Sequence, residues 1–257
     1  MPVLPASVRL ALWTTAAWNG TGGSAPDLPT LLGAALPDVD HVAGDLARLE
    51  LWHDLGERAL LVALPAPGDL AGLPTAAPEA RGAAATAGEC VYVPGLGGML
   101  VPTVAGYGQG PGPDSGTRVD WQAFDADPVP RHRVEALEAS SLERHLRQEL
   151  LVATERLEAV GGRPFAAQVS RELADAALGG EWGLPPGLPS RALRAITVAG
   201  SVGRVVDLAL DGPDDALDAG TSQARRHLLL GLQRTADRAL ADAANAASAV
   251  LAGWRPA

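Results

Sequence analysis

The side chains able to ionise, ligate or attack near neutral pH are few in this chain and poorly spaced for chemistry. Its five histidines (His41, His53, His132, His145 and His227) are dispersed, with no H-x-x-H or H-E-x-x-H pair. The lone Cys90 cannot complete a zinc set with them, so neither a metal nor a cofactor is expected. Asp125, Asp127 and His132 flank a turn beside Arg131 and Arg133. Such a set can hold a divalent ion or move a proton, but Asp-x-Asp-Pro is also ordinary turn chemistry, and the turn is the preferred reading. Cys90 follows Glu89, and a neighbouring carboxylate raises a thiol's pKa, the wrong direction for a nucleophile. Cys90 therefore reads as a small buried residue. Lysine is absent altogether, which excludes Schiff-base chemistry.

Two glycine motifs also fail as sites. Gly95-Leu-Gly97-Gly98 begins like a dinucleotide fingerprint, but Met99–Pro102 continues as a strand. No helix N-terminus follows to receive a pyrophosphate, so a hairpin turn is expected. Ala199–Gly203 is not a nucleophile elbow, because it lies inside a helical pattern.

One loop stands above these. The apolar run Arg58–Leu64 ends in Leu64-Pro-Ala-Pro-Gly-Asp69-Leu-Ala-Gly-Leu-Pro74. It is a rigid loop at a strand's carboxyl end, where open α/β sheets place ligands. Gly68 permits positive φ, and Asp69 is the loop's only charge. Arg204 is the other oddity, an ionic residue in an apolar helix with Asp207 three positions on. Gly68, Asp69 and Arg204 are thus the candidate ligand-binding residues, and the catalytic residues are unknown. The loop, with Ala87-Gly88-Glu89 downstream before a strand, resembles an uncharacterised family of actinobacterial proteins. That resemblance implies a bacterial, cytoplasmic protein and carries no activity or functional residue with it.

The chain that must position these residues has 257 of them, with 47% hydrophobic, 19% charged and a net charge of −10. Isoleucine occurs once, asparagine twice and lysine never, the signature of a GC-rich bacterial genome. A pI near 4.9 gives the wrong field for nucleic acid. No segment reaches the ~18–20 apolar residues of a membrane span. Leu10–Trp18 reads as an ordinary helix rather than a signal segment, so no membrane association and a cytoplasmic location are expected.

The pattern changes character near residue 129. Residues 1–138 read as a mixed α/β lobe and 139–257 as a helical lobe, packed as one unit. In the first, helices are expected over Ala6–Trp18, Asp27–Leu36 and, capped by Asp45, on to Leu55. Strands are expected over Val39–Val42, Arg58–Leu64, Val91–Val93 and Met99–Val104. A parallel pairing of Val39–Val42 with Arg58–Leu64 follows from the helix between them. After a Gly-rich loop, Arg118–Ala123 alternates as an antiparallel strand with one wet face, and His132–Leu137 is expected to return as its partner. The second lobe reads as helices over Ser140–Val160 (with a Ser140/Glu143 capping box), Phe165–Leu178, Arg191–Leu210 and Ser222–Gly253. The fold class is therefore α+β: a small mixed sheet with helices, then an all-helical lobe with a long final helix.

Without a nucleophile–base pair, metal set or phosphate loop in the sequence, the expected function is a non-catalytic interaction or assembly protein. The alternative is a small-molecule binder or enzyme with its pocket at the 65–74 loop. A homodimer through the C-terminal helix is also expected, because Leu228, Leu229 and Leu230 cannot all face inward and Trp254 closes the helix.

Overall fold

A computed structural model describes residues 4–20, 27–108, 115–137, 139–160, 182–211 and 219–256. The expected helix over Phe165–Leu178 and most of the Gly-rich loop lie outside them. The chain divides into a sheet unit, formed by residues 4–137, 183–189 and 244–257, and a helical unit, formed by residues 138–182 and 190–243 with the first three residues.

The sheet unit is built on five strands: β1 (His41–Gly44), β2 (Leu61–Ala63), β3 (Cys90–Tyr92), β4 (Met99–Tyr107) and β5 (Gly116–Phe124). Their order is β1-β5-β4-β3-β2, with β1 parallel to β5 and every other pair antiparallel. The expected parallel pairing of the first two strands is thus wrong: β1 and β2 lie at opposite edges. The reason is local. Asp40 and Asp45 bracket β1 and dock it on β5, each donating its own N–H to a β5 carbonyl, Thr117 and Trp121. Each also accepts a β5 N–H on its carboxylate, from Thr117 for Asp40 and from Ala123 for Asp45, both at 2.8 Å. Asp45 is therefore a ladder extension, not the expected helix cap. Close approach also needs glycine here, since Gly44 has φ +102 and a Cβ on it would lie 2.0 Å from the Trp121 carbonyl oxygen.

Helices α1 (Ala6–Trp18), α2 (Leu28–Ala35) and α3 (Ala47–Asp54) fall close to where periodicity and the Gly/Pro stops put them, whereas α4 (Pro78–Ala87), which starts at Pro78 and stops at Gly88, is not among the helices expected from the sequence. The stretch expected as a returning strand is instead α5 (Arg131–Glu135), a short helix entered through Pro130 and held by an Arg131–Glu135 pair at i,i+4. One core face joins Leu61, Ala63, Cys90, Tyr92, Met99 and Val101 with Ala80 and Ala84 of α4, Val134 of α5 and Ala249 near the C-terminus. Helix α1 lies against β2 and β3. The Gly95–Gly98 stretch is the β3–β4 hairpin turn, closed by the Val93 N–H on the Gly98 carbonyl.

In the helical unit, α6 spans Ala139–Val160 and α7 spans Ser190–Asp211. Along α6, Leu146 and Ala153 are buried and Leu142, Leu150 and Leu157 half-buried, the face its period indicates. The helix starts at Ala139, so Ser140 lies inside it and is not the N-cap that the Ser140/Glu143 capping box implied. Ala199–Gly203 lies within α7, and its whole run is buried. The final helix, α8 (Ala219–Leu251), has 33 residues, about 50 Å at ~1.5 Å each. Its residues up to Ala243 belong to the helical unit and those from Ala244 to the sheet unit. Ala243–Ala249 is buried without a break, which its alanine-rich sequence allows.

Candidate functional site

The 65–74 loop is two tight turns in series. Ala66 and Asp69 exchange backbone hydrogen bonds, each 2.8 Å, across Pro67-Gly68. Gly68 has φ +84, the conformation that a turn with proline before its third residue requires. A second turn follows, with the Leu73 N–H on the Leu70 carbonyl and Gly72 at φ +86. The Asp69 carboxylate accepts the Ala71 N–H at 3.1 Å, an Asx turn that holds the two together. Gly68 is exposed and Asp69 half-exposed. Arg204 lies in the helical unit, exposed on α7, with Asp207 as its near charge. Gly68 and Asp69 are neighbours in one unit and Arg204 belongs to the other.

Sequence reasoning missed a set of polar side chains elsewhere, several of which, in the sheet unit, satisfy backbone. The outward-facing groups of β2 and the residues leading into it, at positions 58, 60 and 62, are each met by a side chain. Asn19 donates to the Arg58 carbonyl at 2.7 Å. The Thr15 hydroxyl accepts the Leu60 N–H at 2.9 Å and lies 3.3 Å from the Leu60 carbonyl. Asn245 accepts the Val62 N–H at 2.8 Å and donates to the Val62 carbonyl at 2.9 Å. This sheet edge is closed by side chains where a further strand would otherwise pair. Asn19 and Asn245 are the only two asparagines in the chain.

Two buried carboxylates do the same work. Glu57 accepts the Leu96 N–H at 2.5 Å and a second from Gly95, fixing the β3–β4 turn. Glu89 accepts the Ser7 N–H at 2.7 Å in the first turn of α1, which enters through Pro5 and has no capping side chain of its own. Burial raises the pKa of both, and these backbone donors pull it partly back. Beside Glu89, the buried Arg9 pairs with Asp38. Cys90 is fully buried, and burial, with Glu89 adjacent, pushes its thiol up to about 12. It is an inert core residue, as the sequence implied.

Two features mark the helical unit. Burial and the nearby Asp207 raise Asp237 to about 7, opposed by a hydrogen bond from Gln233. A depression of about 650 Å³ is lined by Arg156 and Ala159 of α6 with Gly220, Gln223, Ala224, His227 and Leu228 of α8. Among the described residues, no group of three or more His, Cys, Asp or Glu could hold a metal ion, and no helix is long and apolar enough to cross a membrane. On α8, Leu229 is buried and Leu228 and Leu230 are half-buried, so this helix offers less apolar surface there than its sequence suggests. Trp254 is half-buried, with the Arg131 guanidinium 4.7 Å from the centre of its ring system.

No curated protein and no solved structure matches the chain. Residues 7–136 match the family model for the N-terminal domain of Rv1486c-like proteins. Residues 140–241 match the model for the C-terminal domain of the same proteins. The two models together cover most of the chain, and the chain belongs to the Rv1486c-like protein family.

Proposed function

We propose that this chain is a non-catalytic interaction or assembly protein that works in the cytoplasm. The observation behind this reading is the use made of its buried polar groups. In the sheet unit, the buried Asn245, Thr15, Glu57 and Glu89 are each taken up by a backbone N–H. An acid or base committed to a backbone donor is poorly placed to exchange a proton with substrate. The 65–74 loop fits the same picture, since Asp69 holds its own turn through Ala71.

A thermal-shift screen of the purified chain against a metabolite library tests the proposal. The expected result is no reproducible stabilisation. A large shift that Asp69→Ala abolishes would replace this reading with that of a small-molecule site at residues 65–74. A shift lost in Arg156→Ala would place a ligand in the α6–α8 depression instead.

A further inference from the structure

On the β2 side of the sheet, two stretches of backbone have no neighbouring strand among the described residues, and the difference in how they are treated carries an inference about partners. The edge of β2 is closed by Asn19, Thr15 and Asn245. Strand β4 is nine residues long, but β3 pairs with it only at Met99 and Leu100. Beyond that point, among the described residues, the side of β4 facing away from β5 has no strand on it, and all five residues from Thr103 to Tyr107 are exposed.

Alternation identifies which backbone groups point outward. Val93 and Gly98 are a hydrogen-bonded pair across β3 and β4. The even-numbered residues of β4 therefore face the β3 side and the odd-numbered ones face β5. The other side of β5 agrees, since its odd-numbered residues Thr117, Trp121 and Ala123 bond Asp40 and Asp45. The free groups on β4 are then the N–H and C=O of Val104 and of Gly106. Among the described residues they have no backbone or side-chain partner. Pro102 sits where its missing N–H would also point outward, the position an edge strand tolerates.

We infer that this edge is a docking strand for a second copy of the chain, pairing β4 with β4 antiparallel about a twofold axis at Ala105. In that register Val104 of each copy lies opposite Gly106 of the other, and the two pairs exchange four backbone hydrogen bonds. A branched side chain then meets a residue with none, so neither pair is crowded. Tyr107 leaves the edge open, because its ring leans inward over Gly116 and lies tilted against His41, with ring centres 5.2 Å apart. The chain carries a net charge of −10, yet Pro102–Gly108 holds no charged residue. The patch where two copies meet is thus one where like charges do not face each other. The inference goes beyond the proposed function and stands whether or not the chain binds a small molecule.

Disulfide trapping in the full-length chain tests it. Cys90, the only native cysteine, is buried. Across the twofold, Ala105 faces its own copy in a non-hydrogen-bonded pair, with Cα atoms about 4.5 Å apart, within disulfide range. Thr103 is set about 13 Å from its copy by four residues of strand. Ala105→Cys is expected to cross-link to a dimer in most of the sample under mild oxidation, and Thr103→Cys is expected to remain monomeric. Adding Val104→Pro to Ala105→Cys removes an outward donor that the chain's own sheet does not use, and cross-linking should be lost with the far-UV dichroism unchanged. If that variant loses its fold, Val104→Lys replaces it, with the same loss expected. Equal cross-linking at positions 103 and 105, none at 105, or cross-linking that survives both edge variants overturns the inference. So does exclusive capture of a different protein by the Ala105→Cys chain, which would make the edge a heterologous docking strand.

Discussion

Replacing Asn245 by alanine should destabilise the sheet unit more than any other single loss of a side-chain hydrogen bond. Asn245 is 5% exposed and Val62 1%, so water cannot replace the lost amide without opening the core. The substitution leaves two buried backbone groups of Val62, bonded at 2.8 and 2.9 Å, without partners. Each buried unsatisfied group costs about 1–3 kcal/mol, so the expected loss is about 2–6 kcal/mol, a large share of the ~5–15 kcal/mol typical of a domain. Asn19→Ala is the matched control, because its bond to the Arg58 carbonyl lies at the exposed end of the same edge and water can replace it. That loss should stay below about 1 kcal/mol. Urea unfolding followed by tryptophan fluorescence reads the right unit, since Trp13, Trp18, Trp52, Trp121 and Trp254 all lie in it. With a slope of ~1–3 kcal/mol per molar urea, the Asn245→Ala midpoint should fall by about 0.7 M or more. A midpoint shift no larger than that of Asn19→Ala would refute the idea that side chains seal this edge.

Gly44→Ala should cost more than ~3 kcal/mol or prevent folding, because positive φ and a backbone clash combine, the added Cβ lying 2.0 Å from the Trp121 oxygen; equilibrium unfolding measures it. Asp45→Asn should cost under about 1 kcal/mol, since an amide oxygen can still accept the Ala123 N–H, whereas Asp45→Ala should cost more by the same assay. The helical unit should lose stability as pH rises from about 4 to 7, because Asp237 is raised from 3.8 to about 7 by burial and by Asp207. The unfolded chain releases that proton first, so ionising the folded carboxyl opposes folding. Asp237→Asn should flatten the dependence in helical dichroism melts between pH 5 and pH 8, and an unchanged slope would contradict the assignment.

The helices were legible because their signals are local. Ala6–Trp18 ends at Asn19-Gly20, and Ser190–Asp211 begins at the residue read as its cap. Strand order was not, because it depends on which side chains meet across the sheet. Asp40 and Asp45 look like turn and cap residues in sequence, and only tertiary contact turns them into rungs of β5. Arg131–Glu135 carries too short a pattern to separate helix from strand, and the i,i+4 ion pair tips it. At the 65–74 loop the turn chemistry was readable from Pro67-Gly68-Asp69, but the use of Asp69 on Ala71 was not. The edge seal had one faint signal. A chain that nearly avoids asparagine keeps two, and both lie on the edge of β2.

Residue-resolved hydrogen exchange tests the central claim most directly: that side chains close the β2 edge and the overhanging side of β4 is left for a partner. The account predicts that the Leu60 and Val62 amides, bonded to Thr15 and Asn245, exchange only with unfolding of the sheet unit. In dilute solution Val104 and Gly106 should exchange fast while Thr103 and Ala105, which face β5, stay protected. Raising the protein concentration should slow Val104 and Gly106 and leave the other amides unchanged. Rapid exchange at Leu60 and Val62, or concentration-independent protection at Val104 and Gly106, would contradict it.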